Sequence, residues 1–127
     1  MNGWLRLHRA MFHHPVWSLP EGQFKVWIML LMQANHHARD AWLKGERVTI
    51  PTGSLVRSQR GLADDAGVGR QVIRDALRNL ERMGSIRTHK RTQHKVLIEV
   101  VNWPTYQGAD TDENPKENPA ATQEEPP

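Results

Sequence analysis

The sequence predicts a mainly α-helical domain with a small β-sheet. Three observations lead to that class. Apolar residues recur at helical spacing in residues 23–36 and again in 69–83. Residues 62–76 hold a compact two-helix signature with a glycine at its turn. Short alternating segments near Val48, Val56, Ile86 and residues 96–101 read as strands.

Taken in order, residues 3–17 are a lead-in rich in Trp, Leu and His, and Pro15 and Pro20 bracket a loop around Val16 and Trp17. Residues 23–36 read as a helix with Phe24, Trp27, Ile28, Leu31 and Met32 on one apolar face. Lys44-Gly45 reads as a turn. Val48 and Ile50 predict a short strand before Pro51, and residues 53–56 suit another. Ser58 is a suitable N-cap for a helix running to about Ala66, which Gly67 stops. A helix over 69–83 places Ile73, Ala76, Leu77, Leu80 and Met83 on one face, with Gly84 just past its end. Strands over 86–88 and 96–101 follow, joined by a polar, basic loop, and Asn102-Trp103-Pro104 closes the domain.

The chain has 127 residues, which suits one domain, residues 1–107, and a tail or linker, residues 108–127. The tail holds four prolines, six acidic side chains and one Lys, with no aromatic residue. Such a composition buries too little apolar area to offset its ordering entropy, so disorder is expected there. The remainder has sixteen Lys and Arg against eight Asp and Glu, a net of +8, which favours an anionic partner. There is no Cys, so disulfide scaffolds, Cys-based zinc sites and Cys nucleophiles are excluded. No signal peptide is visible, and the longest apolar run, residues 27–32, is too short for a bilayer. The expectation is a soluble cytoplasmic protein with no membrane partner.

The two-helix signature carries the functional reading. Ala63 must be small where two helices cross closely, Gly67 can take the positive φ of the turn, and Ile73 plugs the gap between the helices. Leu62, Ala66, Val68 and Ala76 fill the other inward positions. An ordinary helical hairpin would show the same pattern. The outward face adds weight to a helix-turn-helix. Arg70, Arg74 and Arg78 recur every four residues on one stripe, and Gln71 lies near the N-terminal end, where recognition helices touch bases. Arg can pair with guanine and Gln with adenine in the major groove. The same stripe could be a solvated face, with Asp75 and Glu81 pairing the arginines.

Residues 89–95, His-Lys-Arg-Thr-Gln-His-Lys, form the expected hairpin tip. Beside a recognition helix such a loop is a wing on the DNA backbone or in the minor groove, which makes the expected fold a winged helix-turn-helix. The candidate DNA contacts are Ser58, Arg60, Gly69, Arg70, Gln71, Arg74, Arg78, Lys90, Arg91, Thr92, His94 and Lys95.

Several segments also resemble a known family. They are Gly3-Trp4-Leu5-Arg6-Leu7-His8-Arg9, Trp17, Phe24-Lys25-Val26-Trp27, Ala34-Asn35-His36, Gly53-Ser54-Leu55 and Asn102-Trp103-Pro104-Thr105-Tyr106-Gln107. Over residues 3–107 the chain resembles the N-terminal winged helix domains of phage replisome-organiser and DnaD-like replication proteins. That resemblance implies double-stranded DNA binding in phage or bacterial replication initiation, with a replicative helicase or helicase loader as partner. Such proteins often carry a C-terminal domain after an acidic linker, and this chain stops within the corresponding segment. A winged helix transcription regulator and a winged helix protein-interaction module are the rival functions.

Other features carry less. His13-His14 and His36-His37 lack the spacing of a helical metal site, so no metal is expected. No phosphate-binding or dinucleotide-binding glycine motif is present, so no cofactor and no enzyme activity is expected. Asp64-Asp65 at the end of the first motif helix is read as adjusting helix position rather than as acid–base chemistry. Trp4, Trp17, Trp27, Trp42 and Trp103 are expected to share a core outside the two-helix motif, and one or two of them could serve a homo-oligomer interface.

Overall fold

A computed structural model describes residues 3–43, 45–90, 94–101 and 103. Two 3₁₀ turns, Arg9–His13 and Pro15–Ser18, lead into α1, Glu21–Gln33. An antiparallel ribbon follows, β1, Arg39–Leu43, paired with β2, Glu46–Ile50. Then come β3, Ser54–Ser58; α2, Gln59–Ala66; α3, Arg70–Arg82; β4, Ile86–Lys90; and β5, Lys95–Val100. The larger sheet is antiparallel in the order β3-β5-β4. The expected mixture of helices with a small sheet is therefore present.

The core lies between the three α-helices and one face of this sheet. Leu62 on α2, Ile73 and Leu80 on α3, Leu30 on α1 and Ile98 on β5 are fully enclosed. Each such side chain contributes about 1.5–3 kcal/mol of apolar burial. Of the seven positions of the two-helix signature, Leu62, Ala63, Ala66, Ile73 and Ala76 are buried, Val68 packs partly buried against the core, and Gly67 is exposed at the turn itself. Gly67 has φ +69°, and the N–H groups of Gly67 and Val68 both donate to the Ala63 carbonyl. That closes α2 and swings the chain into α3 within three residues. At the far end of α3, Ser85 N–H donates to the Leu80 carbonyl and Gly84 N–H to that of Glu81, the paired bonds of a Schellman closure.

Several expectations need correction. Helix α1 spans Glu21–Gln33 rather than 23–36, because Ala34 and Asn35 leave the helix and Asn35 N–H instead donates to the Ser54 carbonyl. Its buried side is Val26, Trp27, Met29, Leu30 and Leu31, while Met32 is 44% exposed and Phe24 and Ile28 are only partly covered. This stretch is apolar almost all round, so spacing alone does not pick the face. Strand β1 has no signal in its apolar pattern. It is fixed by its partner: across the ribbon Asp40 takes an ion pair from Arg47 at 2.6 Å and a hydrogen bond from Thr49 at 2.9 Å. The five tryptophans do not share a core. Trp27 and Trp103 are buried, whereas Trp4, Trp17 and Trp42 are 90%, 51% and 72% exposed. The buried Trp27 indole N–H finds no acceptor among the described residues.

Asn102, Pro104 and everything from Pro104 onward, including the expected tail 108–127, lie outside the described residues. No described helix is long and apolar enough to cross a membrane.

Candidate nucleic-acid interface

Helix α3 divides cleanly along its length. Ile73, Ala76, Leu77 and Leu80 face the core, and Arg70, Gln71, Arg74 and Arg78 are exposed on the other side. The strict i, i+3, i+4 spacing of the apolar set gives this separation. Gly69 is the exposed N-cap of the helix and is extended, so it introduces Arg70 and Gln71 at the open end.

The exposed side chains are not independent. Gln71 Nε2 donates to Asp75 Oδ1 at 2.9 Å, and an Arg74 guanidinium nitrogen donates to Gln71 Oε1 at 2.8 Å. Arg78 forms an ion pair with the same Asp75 oxygen. Arg74, Gln71, Asp75 and Arg78 thus form one chain of contacts along the solvent side. Glu81 is not part of it; its carboxylate accepts from Thr88 Oγ1 at 2.8 Å and ties α3 to β4. Exposed pairs of this kind are worth roughly 0–1 kcal/mol each.

The remaining expected contacts cluster elsewhere. Ser58 is half-buried, and its Oγ accepts the Gly61 N–H at 2.9 Å, which caps α2. Arg60 is exposed in the first turn of α2. Ser58 is also the register partner of Lys95, which brings the start of α2 beside the base of the β4–β5 connection. That connection is shorter than residues 89–95. His89 and Lys90 belong to β4 and Lys95 to β5, with Lys90 paired to Val96. Polar strands facing solvent carry no apolar alternation, so the sequence overstates the loop. His94 and Lys95 are exposed, and His89 and Arg87 approach Glu99 at 3.7 and 3.8 Å. Arg91, Thr92 and Gln93 lie outside the described residues.

Two features escaped the sequence reading. Arg57, at the end of β3, donates to Gln33 Oε1 at 2.5 Å and pairs with Asp65 at 2.8 Å, while Gln33 Nε2 donates to Asp65 at 3.1 Å. This triangle joins α1, β3 and α2 and fixes where the two-helix unit sits on the sheet. The Arg57 hydrogen bond, with those of Gln33 and the Arg57 charge behind it, holds the Asp65 carboxyl below its ordinary value of 3.8. Asp65 therefore positions the helix, in keeping with its reading from sequence. The available signal was Gly61, four residues after Arg57: a Cβ there would fall 2.9 Å from the Arg57 guanidinium. The second is Lys25 on α1, whose Nζ lies 3.9 Å from where a Gly67 Cβ would stand, adding a cation beside the turn.

Among the described residues no group of three or more His, Asp or Glu side chains could hold a metal ion. No protein-family model matches the chain. No curated protein matches it either.

Proposed function

We propose that the chain is a winged helix protein that binds double-stranded DNA, with α3 in the major groove and the β4–β5 connection as the wing. The observation that carries this reading is the exposed Arg70, Gln71, Arg74 and Arg78 stripe on a helix whose opposite face is locked into the core. A rigid helix with a guanidinium-rich outer face supplies donors for base edges and charge for phosphates. The order is α1-β1-β2-β3-α2-α3-β4-β5; with the separate β1–β2 ribbon taken as an insertion after α1, the rest, with sheet order β3-β5-β4, supports the winged helix assignment. So does the net charge of +8 over residues 1–107.

In this mechanism Lys and Arg displace counterions and hold the duplex, while Arg70, Gln71 and Arg74 address base edges. Lys90, Arg91 and Lys95 follow the backbone. The resemblance to replisome-organiser and DnaD-like proteins makes replication initiation the setting we favour, with a helicase or helicase loader as protein partner. The test is a salt titration of the full chain on a labelled duplex, followed by fluorescence anisotropy. Affinity that falls linearly in log–log form, with a slope reporting several released counterions, is the expected result. No binding at low salt rejects the reading and favours a protein-interaction module.

A further inference from the structure

Residues 3–20 contain two arginines, three histidines and no acidic side chain. Among the described residues they also hold most of the large apolar side chains left exposed. Trp4 is 90% exposed, Phe12 61% and Trp17 51%. The rings are arranged in a row: Phe12 and Trp17 have centroids 5.3 Å apart, and Trp17 meets Phe24 of α1 edge-on at 5.5 Å.

This row sits on an anchored backbone. Val16 is buried in the core, and Leu19 packs against it. His8 Nδ1 accepts the Ala10 N–H at 3.1 Å, and His14 Nδ1 accepts the Val16 N–H at 3.0 Å, which caps each 3₁₀ turn.

Exposed aromatic patches on a folded chain mark interaction surfaces. An apolar partner would match the rings but leave Arg9 without a counter-charge. An acidic protein surface would match the cations but offer little to the ring faces. Unpaired nucleotides offer both, a flat base for stacking and a phosphate for the cations. Duplex DNA keeps its bases stacked inside, so this surface has nothing to stack upon in a duplex.

We propose that the Phe12–Trp17 ring row, with Arg9 on the same 3₁₀ turn as Phe12, binds single-stranded DNA by stacking unpaired bases. The site uses none of the exposed side chains of α3, and the proposal does not depend on the duplex reading.

The experiment uses the full chain and two probes of equal length, fluorescein-labelled oligo(dT) and a labelled duplex. Wild-type protein binds oligo(dT) with quenching of tryptophan fluorescence. Phe12→Ala with Trp17→Ala lowers that affinity about fivefold or more per ring, and Trp17→Phe restores most of it. Duplex affinity stays within about twofold in all of these. Arg74→Ala does the reverse, leaving oligo(dT) binding intact. Melting curves establish that each variant is folded. The proposal is overturned if wild type ignores oligo(dT), or if the folded ring variants bind it unchanged. It is equally overturned if the ring variants only convert a dimer to a monomer in sedimentation, or if oligo(U) binds tenfold more tightly than oligo(dT).

Discussion

A Cβ placed on Gly53 would stand 2.6 Å from both Cβ and Cγ of Trp103. The closing tryptophan of the domain is pressed against the backbone of the turn that opens β3, and Gly53 also holds φ +81° there. Its N–H donates to the Asn35 carbonyl at 2.7 Å, and its own carbonyl accepts the Val100 N–H at 2.9 Å. The end of α1, the start of β3, the end of β5 and Trp103 therefore meet at one residue with no room for a side chain. Gly53→Ala is predicted to destabilise the fold by about 2–4 kcal/mol, from the left-handed backbone and the overlap together. Urea unfolding at constant m-value measures this, and a loss under about 1 kcal/mol would refute the packing argument.

Ser58→Ala separates capping from DNA contact. Removing the acceptor for the Gly61 N–H is predicted to cost about 0.5–2 kcal/mol of stability. Duplex affinity, measured well below the unfolding transition, should change little. A large affinity loss without a stability loss would make Ser58 a direct DNA contact as well as a cap.

Asp65 predicts a pH dependence. Its carboxyl is held below 3.8 by Arg57 and Gln33, so the folded state favours the ionised form. That contribution is fully present above the unfolded value and disappears as pH falls through the lower folded value. Asp65→Asn should melt below wild type at pH 7, and the gap should close as pH is lowered below about 4. A gap of constant size across that range would show that the ionised carboxylate is not what matters.

Arg70→Ala and Arg74→Ala are predicted to weaken duplex binding by about 1–3 kcal/mol and to relax sequence preference. Lys90→Ala and Arg91→Ala should weaken binding to all sequences alike, because phosphate contacts carry little sequence information. Selection from a randomised duplex library, run for wild type and each variant, distinguishes the two behaviours. Altered sequence preference in the wing variants alone would reverse the roles.

What the sequence made legible was local chemistry. Ser58 before α2, Gly67 after it and Gly84 after α3 announce helix ends through groups within a few residues of each other. The stripe on α3 was legible because its apolar set is narrow and its outer face strongly charged. Features set by distant partners were not. Strand β1 depends on Asp40 finding Arg47 and Thr49 across a turn, and the extension of β4 depends on Lys90 finding Val96. The Arg57 triangle joins residues 24 and 32 positions apart, beyond the reach of any periodic pattern. The tryptophans misled because their size suggests burial, while Trp4, Trp17 and Trp42 stand outside.

Asp75 gives the α3 surface a built-in competitor. It already occupies Gln71 and Arg78, and through Gln71 it bears on Arg74. Under the DNA-binding reading, a base pair holds these side chains only by offering better acceptors than this carboxylate does. Poorly matched sequences fail that contest, so the resting contacts set a threshold and sharpen discrimination. Asp75→Asn lowers the threshold: its binding to arbitrary duplexes should rise more than its binding to the preferred site. Equal gains on both would leave Asp75 as a neutraliser of charge and nothing more.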